Sequence, residues 1–189
     1  MSEPVRILGF GGSLRKGSYS KALLHAAVEL VPKNAVLELF EIKDFLPFNA
    51  DEEDNPPHIV VKFKERIRSL DAILISTPEY NYSVPGFLKN AMDWASRPYG
   101  DNAFEGKPVA IMSSSPGSAG GARAQYHLRQ SFVFLNMYPI NEEVIVSNAD
   151  KKVGEDGEVH DEKTRDKIKG LLESLIEWTK VLGKPPVGT

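Results

Sequence analysis

The sequence predicts an α/β fold, a doubly wound parallel sheet with helices covering both faces. Three observations carry that prediction. Apolar runs of strand length alternate with segments of helical periodicity along the whole chain. The runs are nearly continuous in Val, Ile, Leu, Ala and Phe, as strands are when helices cover both faces of a parallel sheet. The length, 189 residues, suits one domain, and a domain of this size buries roughly 70% of its unfolded surface.

The elements follow in order. Residues 5–10 form a buried first strand, and residues 11–18 a Gly/Ser/Arg loop. Leu24, Ala27, Val28 and Val31 repeat at the spacing of one helical face, which predicts a helix over 20–31. Residues 35–40 are a second strand. Residues 41–57, with Pro47, Pro56, Pro57 and the acidic run 51–54, read as a long loop. A helix over 58–70 leads to a third strand at 71–76, a loop at 77–83 and a helix at 85–96. The fourth strand, 108–113, ends in a second small-residue loop, 114–121. A helix at 122–135, a fifth strand at 138–146, a polar loop at 151–161 and a last helix at 162–182 complete the domain. That domain is expected over 1–183, with 184–189 a frayed tail. Five strands and five helices alternate strictly. Right-handed crossovers then gather every βα loop at the carboxyl ends of the strands, where such sheets bind ligands.

Composition narrows the chemistry. There is no Cys, which excludes a thiolate nucleophile, a dithiol pair, disulfides and Cys-held zinc or iron–sulfur clusters. Redox work would therefore need a bound cofactor. The four His residues (His25, His58, His127, His160) form no HxxxH or HxH pair, so no metal site is expected. Lys and Arg total 23 against 26 Asp and Glu, a net charge of −3. That mild acidity argues against a nucleic-acid binder. No secretory signal pattern and no run of 18 apolar residues appear, so a cytoplasmic protein without a membrane span is expected.

The first loop reads as an anion site. Gly11 and Gly12 allow a tight turn and close approach of the backbone. Ser13, Ser18, Ser20 and Arg15 lie within eight residues, and the following helix offers unpaired N–H groups and a partial positive charge. The GxxxxGK[ST] loop is absent, and Leu14 stands where GxGxxG needs its third glycine. A monophosphate held by hydroxyls, as in a mononucleotide such as FMN, fits what remains. The same serines also fit N-caps on a glycine-rich turn.

The stretch Pro78-Glu79-Tyr80-Asn81, continued by Leu88-Lys89-Asn90-Ala91, joins Gly12-Ser13-Leu14-Arg15 and Ser18 in a recognisable pattern. With Gly120-Gly121-Ala122-Arg123 and Tyr126-His127-Leu128-Arg129-Gln130, it resembles the NADPH-dependent FMN reductase family. The likeness spans nearly the whole chain and is strongest to bacterial soluble quinone and chromate reductases. It implies a flavodoxin-like sheet of order 2-1-3-4-5 with bound FMN. Ser13, Arg15, Ser18 and Ser20 would then hold the phosphate, with Tyr19 contributing mainly backbone. Position 20 is Ser where relatives often have Asn, and its hydroxyl can still donate. Pro78, Glu79, Tyr80 and Asn81 would border the isoalloxazine ring with Tyr82 nearby, and Ser115 and Gly117 would meet it from the other side. The residue types agree, since a flat apolar ring with a polar edge needs Pro and aromatic surfaces and edge donors. Backbone N–H groups near Asn81 and Gly117 would stabilise charge on the reduced ring.

The resemblance implies an NAD(P)H-dependent oxidoreductase in which FMN carries the chemistry, with no protein nucleophile or dedicated acid. The expected mechanism is ping-pong. NADPH or NADH gives hydride to the flavin, and a quinone then takes the electrons at the same face. Chromate, azo compounds and free flavin are secondary acceptors. The alternative is a flavodoxin-type electron carrier without its own NAD(P)H activity. A homodimer or homotetramer is implied, and Phe132, Val133, Phe134, Leu135 and Met137 exceed one helical face. His127 is expected in a structural or interface role. Arg123 and Arg129 suit a solvated face, an oligomer interface or an NADPH phosphate contact.

Overall fold

The computed structural model describes residues 3–183, so the expected tail lies outside the described residues. The chain runs β1 (Val5–Gly11), α1 (Tyr19–Leu30), β2 (Ala35–Leu39), α2 (His58–Ser69), β3 (Ala72–Thr77), α3 (Gly86–Ala95) and β4 (Pro108–Ser114). α4 (Ala122–Phe134), two short strands β5 (Tyr138–Pro139) and β6 (Val144–Val146), and α5 (Glu162–Leu182) follow. The strands pair in parallel in the order 2-1-3-4-5, with β6 also on β4. This is the flavodoxin-like order that the family resemblance implies.

Alternation along each strand divides the core between two faces. Ile7, Leu74 and Met112 pack with Leu23 and Ala27 of α1 and with Leu172 and Ile176 of α5. Leu8, Phe10, Ile73, Ile75 and Ile111 pack on the other side with residues of α2, α3 and α4. There Phe63 gathers Phe10, Phe40 and Phe45, with ring centroids 5.1, 4.9 and 5.5 Å away. All residues of β3 and β4 are buried, which explains their unbroken apolar reading.

Two segments differ from expectation. The fifth strand is two strands separated by a polar excursion. Tyr138 N–H and Ile140 N–H, on either side of Pro139, donate to Lys107 O and Val109 O at 2.9 and 3.0 Å, and the second is the last bond of β5. The intervening acids then turn to side chains elsewhere: Ser174 Oγ donates to Glu142 at 3.0 Å, and Arg129 lies 3.4 Å from Glu143. Val144 and Val146 return to the core. The sheet therefore has six strands in five positions. The long loop after β2 carries one 3-10 turn, Ala50–Glu52. It is pinned by Asn90, whose Oδ1 accepts from Phe48 N–H at 2.7 Å and whose Nδ2 donates to Leu46 O at 2.9 Å. Trp94 Nε1 donates to the same carbonyl at 2.8 Å.

Because every strand is parallel, the loops after β1, β3 and β4 share one edge of the sheet. Among the described residues, no helix is long and apolar enough to cross a membrane.

Candidate active site

The first loop turns on Gly12. Its N–H donates to Ser76 O at 3.0 Å, and a Cβ there would lie 3.0 Å from Leu88 Cβ. Any side chain here would press on Leu88 of α3 and force it to give by a few tenths of an ångström. Ser13, Ser18 and Ser20 are all buried, whereas Leu14, Arg15, Lys16 and Gly17 are exposed. Ser18 caps α1, its Oγ accepting from Lys21 N–H at 3.3 Å and lying 3.0 Å from Ser20 Oγ. The N-cap role and the hydroxyl cluster thus coexist. The first turn of α1 contains no acid, so nothing in it offsets the helix dipole. The Arg15 guanidinium lies 5.6 Å from the Tyr19 ring centroid. Buried hydroxyls, an acid-free helix start and an exposed guanidinium form a donor set that fits a phosphate monoester.

The second loop is tied into a tight turn. Tyr80 N–H donates to Ser83 O at 3.1 Å and Ser83 N–H to Tyr80 O at 3.0 Å. Between them Asn81 and Tyr82 sit in the left-handed region, at φ 49° and 67°, a conformation that costs non-glycine residues energy. Tyr80, Asn81 and Tyr82 are exposed, and Pro78 is half-buried. The Glu79 side chain is only 7% exposed and faces Arg123. Arg123 N–H donates to Glu79 Oε2 at 3.1 Å and Arg123 Nε to Oε1 at 2.6 Å. Among the residues expected at the ring, Glu79 therefore has its carboxylate turned to protein. The Arg123 guanidinium also lies 3.7 Å from the Tyr82 ring centroid.

The third loop is held against the chain after β6. Ser115 N–H donates to Val146 O at 3.1 Å and Ala149 N–H to Ser115 O at 3.0 Å. Gly117 N–H, expected to face the ring, donates to Ser115 Oγ at 3.1 Å. Gly121 closes the loop at φ 86°, and a Cβ there would lie 2.9 Å from Ser113 Cβ.

Sequence reasoning missed two supporting residues. Gln125 is buried on α4, its Nε2 donating to Ser113 Oγ and Val144 O, each at 2.9 Å. A Gln three residues before Leu128 and seven before Phe132, both core residues, was the available signal. Ser83 Oγ lies 2.8 Å from His127 Nδ1, so the exposed His127 has a structural partner in the second loop. Val133 and Phe134 remain 83% and 76% exposed, while Phe132, Leu135 and Met137 are buried.

Known proteins similar to this chain show its family and fold. Residues 5–151 match the family described as NADPH-dependent FMN reductase. An NAD(P)H-dependent FMN reductase of Pseudomonas aeruginosa is 46% identical over 184 residues, 96% of this chain and 99% of that one. A quinone reductase of Escherichia coli K12 is 42% identical, covering 94% of this chain and 97% of its own. Among solved structures, FerB, a flavoenzyme NAD(P)H:(acceptor) oxidoreductase of Paracoccus denitrificans, superposes with a TM-score of 0.86 at 35% identity. That match covers 95% of this chain and 99% of FerB. The chain belongs to the NADPH-dependent FMN reductase family and is an oxidoreductase that works with FMN and NAD(P)H.

Proposed function

We propose that FMN lies across the three loops at the carboxyl edge and that the enzyme reduces quinones with NAD(P)H by a ping-pong mechanism. The carrying observation is the pair of buried hydroxyls, Ser18 and Ser20, at the acid-free start of α1. When bound, FMN supplies two-electron transfer from NAD(P)H to an acceptor.

The chain's own residues bind and orient. Ser13, Ser18, Ser20 and Arg15 donate to the phosphate, with the Tyr19 backbone beside them. Charge-assisted bonds of this kind are roughly twice as strong as neutral ones. Pro78, Tyr80, Asn81 and Tyr82 border the ring, with Glu79 behind them. Ser115 and Gly117 close the opposite side. The exposure of Tyr80, Asn81 and Tyr82 leaves an open face that donor and acceptor can occupy in turn. Such a face also suits chromate, azo compounds and free flavin as secondary acceptors. Quinone reduction has support from the E. coli relative's name. The exposed Val133 and Phe134, with the exposed Tyr126 two turns earlier on α4, would be covered in a homodimer or homotetramer. The enzyme is assigned to the cytoplasm.

Anaerobic mixing of the purified yellow protein with NADPH or NADH tests the activity. The flavin absorbance should bleach without any partner protein and return on adding a quinone, with parallel double-reciprocal plots in steady state. A flavin that stays oxidised until a separate reductase is added would assign the protein as an electron carrier instead.

A further inference from the structure

We propose that Glu79 and Arg123 form a positioning clamp that holds the 79–83 turn in its flavin-facing shape. This rests on the assignment of that turn to the flavin ring.

α4 starts without a local cap. Its N-cap is Gly121, with no side-chain hydrogen bond and no acid in the first turn. A helix start normally satisfies its free N–H groups within a residue or two. Here the acceptor comes from 44 residues away, as Glu79 Oε2 takes the Arg123 N–H. The other oxygen, Oε1, takes the same residue's Nε and Nη2. One carboxylate thus caps the helix, meets its dipole and binds a guanidinium, with little exposure to water.

The guanidinium does a second thing. It lies over the Tyr82 ring, at the far end of the strained pair Asn81–Tyr82. Arg123 therefore grips the turn at both ends, through Glu79 and through Tyr82. One helical turn along α4, His127 Nδ1 meets Ser83 Oγ. Positive φ at two consecutive non-glycine residues persists only where surrounding contacts over-determine it. These contacts are what this structure offers. Glu79 is the buried member of the pair and the Arg123 side chain is 40% exposed, so the loss of Glu79 takes the acceptor from the Arg123 N–H and frees the guanidinium to water, which should release the turn as well as the helix start. Glu79 and Arg123 would then act on the flavin through Tyr80, Asn81 and Tyr82, without touching it.

Three variants test the clamp: Glu79→Gln, which keeps volume and loses charge; Arg123→Lys, which keeps charge and loses the fork; and Tyr82→Leu, which removes the Arg123 ring contact together with the Tyr82 side of the flavin site, so that amide exchange without FMN is its deciding readout. FMN affinity is read by titrating the apoproteins, together with the absorbance spectrum of the bound flavin. Amide hydrogen exchange at Tyr80 and Ser83 is read without FMN. For Glu79→Gln the clamp predicts an FMN Kd raised roughly tenfold, a shifted flavin spectrum and faster exchange at both amides. The exchange effect should be smaller for Arg123→Lys and smallest for Tyr82→Leu. Combining Glu79→Gln with Arg123→Lys should add little to the worse single variant. A lowered melting temperature with wild-type FMN Kd and spectrum would overturn the proposal, leaving Glu79 a plain helix cap. Should Glu79→Gln not fold, unchanged amide exchange in Tyr82→Leu would overturn it equally. A wild-type apoprotein that binds no FMN would remove the flavin assignment itself, and the positioning role with it, whatever the exchange rates show.

Discussion

The loops after β1 and β3 lie at the same edge of the sheet and are built in opposite ways. The first is anchored at its start, where Gly12 N–H donates to Ser76 O, and beyond that is held by near neighbours. Ser18 meets Ser20 and Lys21, two and three residues away, and the tip from Leu14 to Gly17 is exposed. The second makes one local turn and is otherwise held by α4, through Glu79–Arg123 and Ser83–His127, each 44 residues apart. The lesson is a division of labour. A phosphate needs donors, which a short segment can carry alone. A flat ring needs a surface fixed in place, and that requires a second element.

Substitutions can break this contrast, and Arg15→Ala should do so most strongly. The loss of one charge-assisted bond costs about 1.5–3 kcal/mol, so FMN affinity should fall by roughly ten- to a hundredfold in apoprotein titrations. Arg15 is exposed, so the melting temperature of the apoprotein should not move. Ser18→Ala should move both readouts, because the same hydroxyl caps α1. About 1 kcal/mol of stability should be lost in urea unfolding alongside a weaker FMN. Ser83→Ala comes next. The loss of the exposed bond to His127 should cost about 0.5–1 kcal/mol in urea unfolding, with a small rise in FMN Kd through the loosened turn.

The smallest effect on the site is expected at the other end of the sheet. Lys107, just before β4, donates to Leu70 O at 2.5 Å and Arg68 O at 3.3 Å. Burial lowers its pKa to about 8 from 10.5, a shift only partly opposed by Asp71. The folded protein therefore sheds this proton while the unfolded chain still holds it. Between about 8 and 10.5 the unfolded state binds more protons, so stability should rise with pH across that window. The slope from this group is at most about 1.4 kcal/mol per pH unit. Lys107→Met should flatten the rise in urea unfolding between pH 7.5 and roughly 9.5, and leave FMN Kd unchanged.

The same contrast explains what the sequence made legible. The first loop could be read because its glycines, hydroxyls and arginine lie within a few residues of one another and of a helix start. β3 and β4 could be read because burial on both faces leaves an unbroken apolar run. The fifth strand reads as one piece because Ile140, Val144 and Val146 are all core residues. What breaks it comes after Ile140, where acids turn to partners, Ser174 and Arg129, on α5 and α4. Glu79 was readable as a loop acid and Arg123 as a helix arginine. Their pairing depends on α4, packed on β4 and β5, bringing Arg123 to the loop after β3, which no local pattern encodes. Gln125 leaves only its spacing to Leu128 and Phe132 as a local signal, because its partners Ser113 and Val144 lie on other elements.

Hydrogen exchange with and without FMN tests the central claim most directly, because it maps the cofactor onto the chain independently of turnover. FMN should slow exchange in three separated segments, 12–20, 78–83 and 115–121, and leave the amino edge at residues 4–6 and 69–71 unchanged. Protection confined to a single loop, or appearing at the amino edge, would contradict a flavin held across the carboxyl ends of β1, β3 and β4.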